Sequence, residues 1–94
     1  MKVVWTRFAL ADADGAIKYI AEENPAAAER MRERINAAVE ALHRHPEIGR
    51  PGRLEGTREL IVTGTPFIAG YRLNGKFVEV FALIHGARRW PDGF

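Results

Sequence analysis

Apolar residues recur along this chain with two different periods, and the change of period divides it. After a short β-prone run, Lys2–Trp5, the positions Leu10, Ala13, Ile17, Ile20 and Ala21 fall on one face of a helix of 3.6-residue period. That spacing predicts an amphipathic helix from Ala9 to about Glu23. Thr6 is placed to cap it, and Asp12 and Asp14 sit early in it. "ENPAA", residues 23–27, interrupts the pattern and restarts it: Asn24 can cap, and Pro25 has no N–H to leave unpaired at a first helical position. Ala28, Met31, Ile35, Ala38, Val39 and Leu42 then form a second apolar face opposite Glu29, Arg30, Glu33, Arg34 and Glu40. Pro46 disfavours a helical residue before it, so this helix is predicted to stop near His43–His45. Two such helices joined by a short break predict an αα-hairpin.

Residues 45–59, "HPEIGRPGRLEGTRE", hold two prolines and three glycines and read as a loop. The period then becomes two. Arg58–Val62, Phe67–Leu73 and Lys76–Ile84 read as strands, with Thr63–Pro66 as a turn and Asn74–Gly75 as a type I′ hairpin turn. A two-residue loop there predicts the pairs Leu73 with Lys76, Arg72 with Phe77, Tyr71 with Val78 and Gly70 with Glu79. One face then carries Phe67, Ala69, Tyr71, Leu73, Val78, Val80, Ala82 and Ile84 and is expected to meet the helices. The other carries Ile68, Gly70, Arg72, Phe77, Glu79, Phe81, Leu83 and His85. The predicted fold is α+β: an N-terminal strand and an αα-hairpin packed on one face of a small, mainly antiparallel sheet ending in a three-stranded meander, as one domain over residues 1–94.

Composition removes several alternatives. There is no cysteine, so disulfides and thiolate chemistry are excluded, and three histidines alone make poor material for a structural zinc site. His43 and His45 are badly spaced for a shared metal on one helical face; beside a helix C-terminus they read as dipole-complementing caps. No metal or cofactor is expected. The longest apolar run, Val80–Ile84, is far too short to cross a membrane, and the first ten residues lack a secretory core, which predicts a cytoplasmic protein. Residues 1–47 hold seven Lys/Arg against eight Asp/Glu, a balance of −1, whereas residues 48–94 hold seven against four, a balance of +3. The second half therefore offers a field for an anionic partner. Eleven of the fourteen cationic residues are arginines, suited to bidentate contacts with carboxylate or phosphate.

The abrupt end of the last strand, "FALIHGARRWP" (residues 81–91), holds the candidate chemistry. Metal-free RNA cleavage needs a base, an acid and cations on the phosphate. His85 could be the acid, Arg58, Arg72 or Arg88 the phosphate clamp, and Glu55, Glu59 or Glu79 the base. A docking surface needs none of these, and Arg88, Arg89 and Trp90 have the composition of interface anchors. Trp90 could equally cap the edge of the core, and Arg72 could simply pair with Glu79 across the strands.

The order of elements, together with "P-x-x-G-R-P" at Pro46–Pro51, "T-R-E-L" at Thr57–Leu60 and "H-G-x-R-x-W" at His85–Trp90, resembles the RelE/ParE toxins of type II toxin–antitoxin systems, and the ParE-like branch in particular. The resemblance covers nearly the whole chain. It implies a small growth-inhibiting toxin, neutralised by a cognate antitoxin that wraps an extended segment over it. RelE-like members cut messenger RNA on the ribosome; ParE-like members inhibit DNA gyrase and are not enzymes. No lysine lies between Lys18 and Lys76 and no tyrosine follows Tyr71, so the lysines and terminal tyrosine of RelE itself are missing. That directs the expectation to gyrase, with no catalytic residues, Arg88, Arg89 and Trp90 on the target, and Arg72, Phe77 and Phe81 on the antitoxin. The alternatives are a ribosome-dependent endoribonuclease using His85, Arg58, Arg72 and Arg88, and a non-toxic module that only binds its antitoxin.

Overall fold

The computed structural model describes residues 1–86, so Arg88, Arg89 and Trp90 lie outside the described residues. Strand β1 (Lys2–Trp5) leads into helices α1 (Arg7–Glu23) and α2 (Pro25–Glu40), the latter ending in a 3₁₀ turn over Ala41–His43. Strands β2 (Arg50–Pro51), β3 (Thr57–Ile61), β4 (Phe67–Asn74) and β5 (Phe77–His85) follow. They form one mixed sheet in the order β1-β5-β4-β3-β2; β1 runs parallel to β5 and every other pairing is antiparallel. The predicted α+β architecture is present, with one strand more than the sequence pattern indicated.

Both helices begin where their caps are. The Thr6 hydroxyl accepts from the Ala9 amide at 3.1 Å, and the Asn24 side chain accepts from the Ala27 amide at 3.0 Å with Pro25 opening α2. Each cap satisfies an N–H that has no partner within its helix. α2 buries Ala28, Ile35 and Val39, with Met31 and Ala38 packed alongside, as its spacing predicts. α1 is rotated from expectation. Leu10 is half exposed, and the wholly buried contact is made by Ala9 with Ile17. A methyl group at position 9 lets the start of α1 sit close to the sheet, and Phe8, Leu10 and Tyr19 are left outward. The helices meet Phe67, Ala69, Tyr71, Val78, Val80 and Leu83 across one face of the sheet. Fully burying a side chain of this kind contributes about 1.5–3 kcal/mol.

The β4–β5 hairpin departs from the predicted register in two places. Asn74 pairs with Phe77, Leu73 with Val78 and Arg72 with Glu79, so the loop is Gly75–Lys76 and not Asn74–Gly75. Gly75 has φ +63°, and among the described residues no non-glycine has positive φ, which is the pattern of a II′ turn and not I′. Further along, Tyr71 pairs with Val80 but Gly70 pairs with Ala82, so β5 carries a bulge whose extra residue is Phe81. Because side chains alternate strictly along a strand, one extra residue exchanges the faces beyond it. Leu83 joins the helix-side core, and His85 stands with Phe67 on that side, their rings edge-to-face at 5.8 Å. Phe81, Ala82 and Ile84 form a separate buried cluster. The expected placement of Ala82 and Ile84 toward the helices, and of Leu83 and His85 away from them, is thereby reversed.

Candidate functional site

The segment read as a featureless loop is held in place by buried polar groups. Tyr71, in the middle of β4, has no exposed surface. Its hydroxyl donates to the Pro46 carbonyl at 2.8 Å and accepts from the Gly49 amide at 2.9 Å. Burial pushes the phenol's pKa up from its usual 10.0; the Gly49 N–H and the nearby Arg58 charge oppose that rise, and Glu47 adds to it. Gly49 is at this position because nothing larger fits: a Cβ there would lie 2.7 Å from the Tyr71 ring and hydroxyl and 2.9 Å from the Glu59 carbonyl.

Strand β3 supplies the second set of fastenings. Arg58 Nη1 donates to the carbonyls of Gly49 at 2.8 Å and Glu47 at 3.1 Å. Arg50 Nε and Nη2 both reach Glu59 Oε1, at 2.9 and 2.8 Å, and Glu59 is the one buried charged side chain among the described residues. A buried carboxylate is tolerable only when paired in this way. The Gly52 amide donates to the Thr57 carbonyl at 2.7 Å, and the Thr57 hydroxyl to the Leu54 carbonyl at 2.6 Å. The two motifs at Pro46–Pro51 and Thr57–Leu60 are therefore the two halves of one latch closed around Tyr71. Tyr71 itself was read only as a core-facing strand residue; its backbone partners, 22 and 25 residues away, carry no sequence signal.

The candidate nuclease residues are not brought together. Arg58 pairs with Tyr71 and Thr57 with Arg72, so Arg58 and Arg72 project from opposite faces of the sheet. Arg72 stands directly across from Glu79, not diagonally, and binds its Oε1 through Nε and Nη2, each at 2.7 Å. His85 pairs with Phe67, five positions along β4 from Arg72, which is about 16 Å of strand. It lines a groove of about 830 Å³ between the end of the sheet and α1, with Asp12, Gly15, Tyr19, Met31 and Leu83. Glu59 is committed to Arg50, and Glu79 to Arg72. His43 Nδ1 lies 2.7 Å from the Met1 carbonyl, which ties the 3₁₀ turn to the start of β1.

Of the residues expected to meet an antitoxin, Phe77 is 44% exposed and Arg72 lies exposed at the same end of the β4–β5 hairpin. Phe81 is buried at the bulge and is not a surface residue in this state. No group of acidic or histidine side chains among the described residues could hold a metal ion, and no helix there is long and apolar enough to cross a membrane.

A small antiparallel meander under a helical hairpin, with no gathered acid–base set among the described residues, defines a compact protein-binding domain of the kind used by the toxins of toxin–antitoxin pairs. The chain belongs to the ParE toxin family of type II toxin–antitoxin systems, whose parDE family pattern matches residues 3–90. It is 40% identical over 91 residues to Y4kP of Sinorhizobium fredii, named as a candidate toxin, covering 97% of this chain and 94% of that one. It is 37% identical over 87 residues to toxin RelE2 of Caulobacter vibrioides, covering 93% of this chain and 97% of that one. Among solved structures, it superposes on the chromosomal ParDE toxin–antitoxin system of P. aeruginosa with a TM-score of 0.82 at 28% identity, over 90% of this chain and 95% of the other. A YoeB/ParE toxin from Agrobacterium tumefaciens gives 0.62 at 25% identity, over 90% and 98% of the two chains. Membership implies a cognate antitoxin as partner.

Proposed function

We propose that this toxin arrests growth by docking on DNA gyrase and not by cutting message. The observation that carries the reading is the dispersal of the nuclease set. A phosphate clamp needs free guanidinium groups converging within a few ångströms of an acid and a base. Here Arg58 is occupied by two backbone carbonyls, Arg72 is paired with Glu79 on the opposite face, and His85 stands beside α1 near the far end of β4. The closer likeness to a ParDE toxin than to a YoeB/ParE toxin, 0.82 against 0.62, supports the same reading. Docking needs only an exposed surface, and the C-terminal Arg88, Arg89 and Trp90 supply interface-type side chains.

The test is purified toxin with gyrase and relaxed plasmid, run beside primer extension on translated message. Inhibited supercoiling with intact message is the expected result. Codon-phased cuts that disappear in His85→Ala, with antitoxin binding retained, would overturn it.

A further inference from the structure

Between the 3₁₀ turn and β3 the chain runs through residues 44–56 with only the two-residue β2 as regular structure. A connection of that length is ordinarily mobile unless it has work to do. Here every fastening comes from beneath. Tyr71, Arg58, Glu59 and Thr57 take up loop backbone groups at Pro46, Glu47, Gly49, Gly52 and Leu54 and the side chain of Arg50. The outward side chains are left over: Ile48 is 51% exposed and Leu54 46%, with Arg44 and Arg53 exposed near them in sequence. Neither Arg44 nor Arg53 has an ion-pair partner among the described residues.

We propose that the loop Arg44–Leu54 is a second docking surface of the toxin, fitted to an acidic, partly apolar protein surface on its target, with Tyr71 as the positioning residue that holds it in shape. This rests on the gyrase reading for the identity of the target. Three arginines against one glutamate in residues 44–54 set the sign of the partner's charge. The loop's apolar members choose its class. Ile48 and Leu54 are branched aliphatic side chains that seat in protein pockets, and residues 44–56 include no Phe, Tyr or Trp on which a nucleic-acid base could stack. Rigidity completes the picture, since a loop ordered before contact loses less entropy on binding.

The test is the triple variant Ile48→Ser, Arg53→Glu, Leu54→Ser in the full chain, measured for gyrase inhibition, growth arrest on induction, antitoxin affinity and thermal midpoint. All three side chains are exposed, so the midpoint and the antitoxin affinity are expected to stay at wild type while gyrase inhibition and growth arrest fall about tenfold or more. If the triple variant does not fold, Arg53→Glu alone is read in the same way. Tyr71→Phe, which alters no exposed group, is expected to lose potency with faster amide exchange at residues 47–50. Unchanged potency in the loop variants overturns the proposal. Lost antitoxin affinity with retained potency overturns it in favour of an antitoxin surface, and lost RNA retention on a gel in favour of a nucleic-acid surface. If wild-type toxin leaves gyrase untouched, the gyrase reading falls alone; the loop is then judged on growth arrest, and a loop variant as toxic as wild type sinks it.

Discussion

Replacing Tyr71 by Phe removes one oxygen atom and leaves the ring, so it isolates the latch from the core. The lost hydroxyl serves two backbone groups: the Gly49 amide, in a buried bond, and the Pro46 carbonyl, which is partly buried. Each orphaned buried group costs about 1–3 kcal/mol, toward the lower end where water can reach the carbonyl. Phe is also easier to bury than Tyr, which returns part of the loss, so the net destabilisation is set at about 2 kcal/mol. For a domain of this size each kcal/mol moves the thermal midpoint by roughly 4–8 °C, giving a drop of about 8–16 °C. Circular dichroism melts of wild type and Tyr71→Phe, checked by urea titration at constant m-value, measure it. A drop of less than about 2 °C would refute the reasoning, because Arg58 and the Arg50–Glu59 pair would then hold the loop without the tyrosine.

The same phenol makes stability sensitive to alkali. Its folded-state pKa is raised above 10.0, so its contribution is intact below that value and is lost as pH rises through the folded pKa; Tyr71→Phe should flatten the alkaline limb of a stability–pH curve. Gly49→Ala places a methyl 2.7 Å from the Tyr71 ring and should cost about 1–3 kcal/mol by denaturant titration, although alanine is normally benign in a loop. Arg50→Ala leaves the buried Glu59 carboxylate without its partner and should lower the thermal midpoint, with most of the loss recovered in Arg50→Ala/Glu59→Leu. Deleting Phe81 removes the bulge residue and leaves Leu83 and His85 on the helix side in an uninterrupted ladder. The deletion should therefore fold, with a loss of about 3–5 kcal/mol from the missing ring, and an unfolded deletion chain by NMR would contradict the bulged register.

The helices were legible because their ends are chemically marked: Thr6, Asn24 and Pro25 are where the caps lie. The meander was legible from its turns and its alternation. What stayed hidden has specific physical causes. Phe81, Ala82, Leu83 and Ile84 are all apolar, so nothing in the run marks the place where inward and outward exchange. The hairpin turn slipped by one residue because Asn74–Gly75 and Gly75–Lys76 both offer a glycine, and the ladder decides between them. α1 was turned slightly wrong because Leu10 competes with Ala9 for the buried face, and close helix–sheet approach favoured the smaller side chain. The latch was out of reach because Tyr71 bonds to backbone, which every residue possesses. Of the candidate site, the residues of the two motifs were visible, but their assembly around one hydroxyl was not.

The two-residue strand β2 also decides how the sheet meets other molecules. It forms the outer boundary on the β3 side and ends in Pro51, which has no amide hydrogen to offer, while Arg50 turns its guanidinium to Glu59. A peptide approaching from that side finds a template too short and lacking a donor for ladder growth. The toxin is thus protected along this border against stacking with its own kind when no antitoxin covers it. Association by strand addition is directed to the opposite border, at β1.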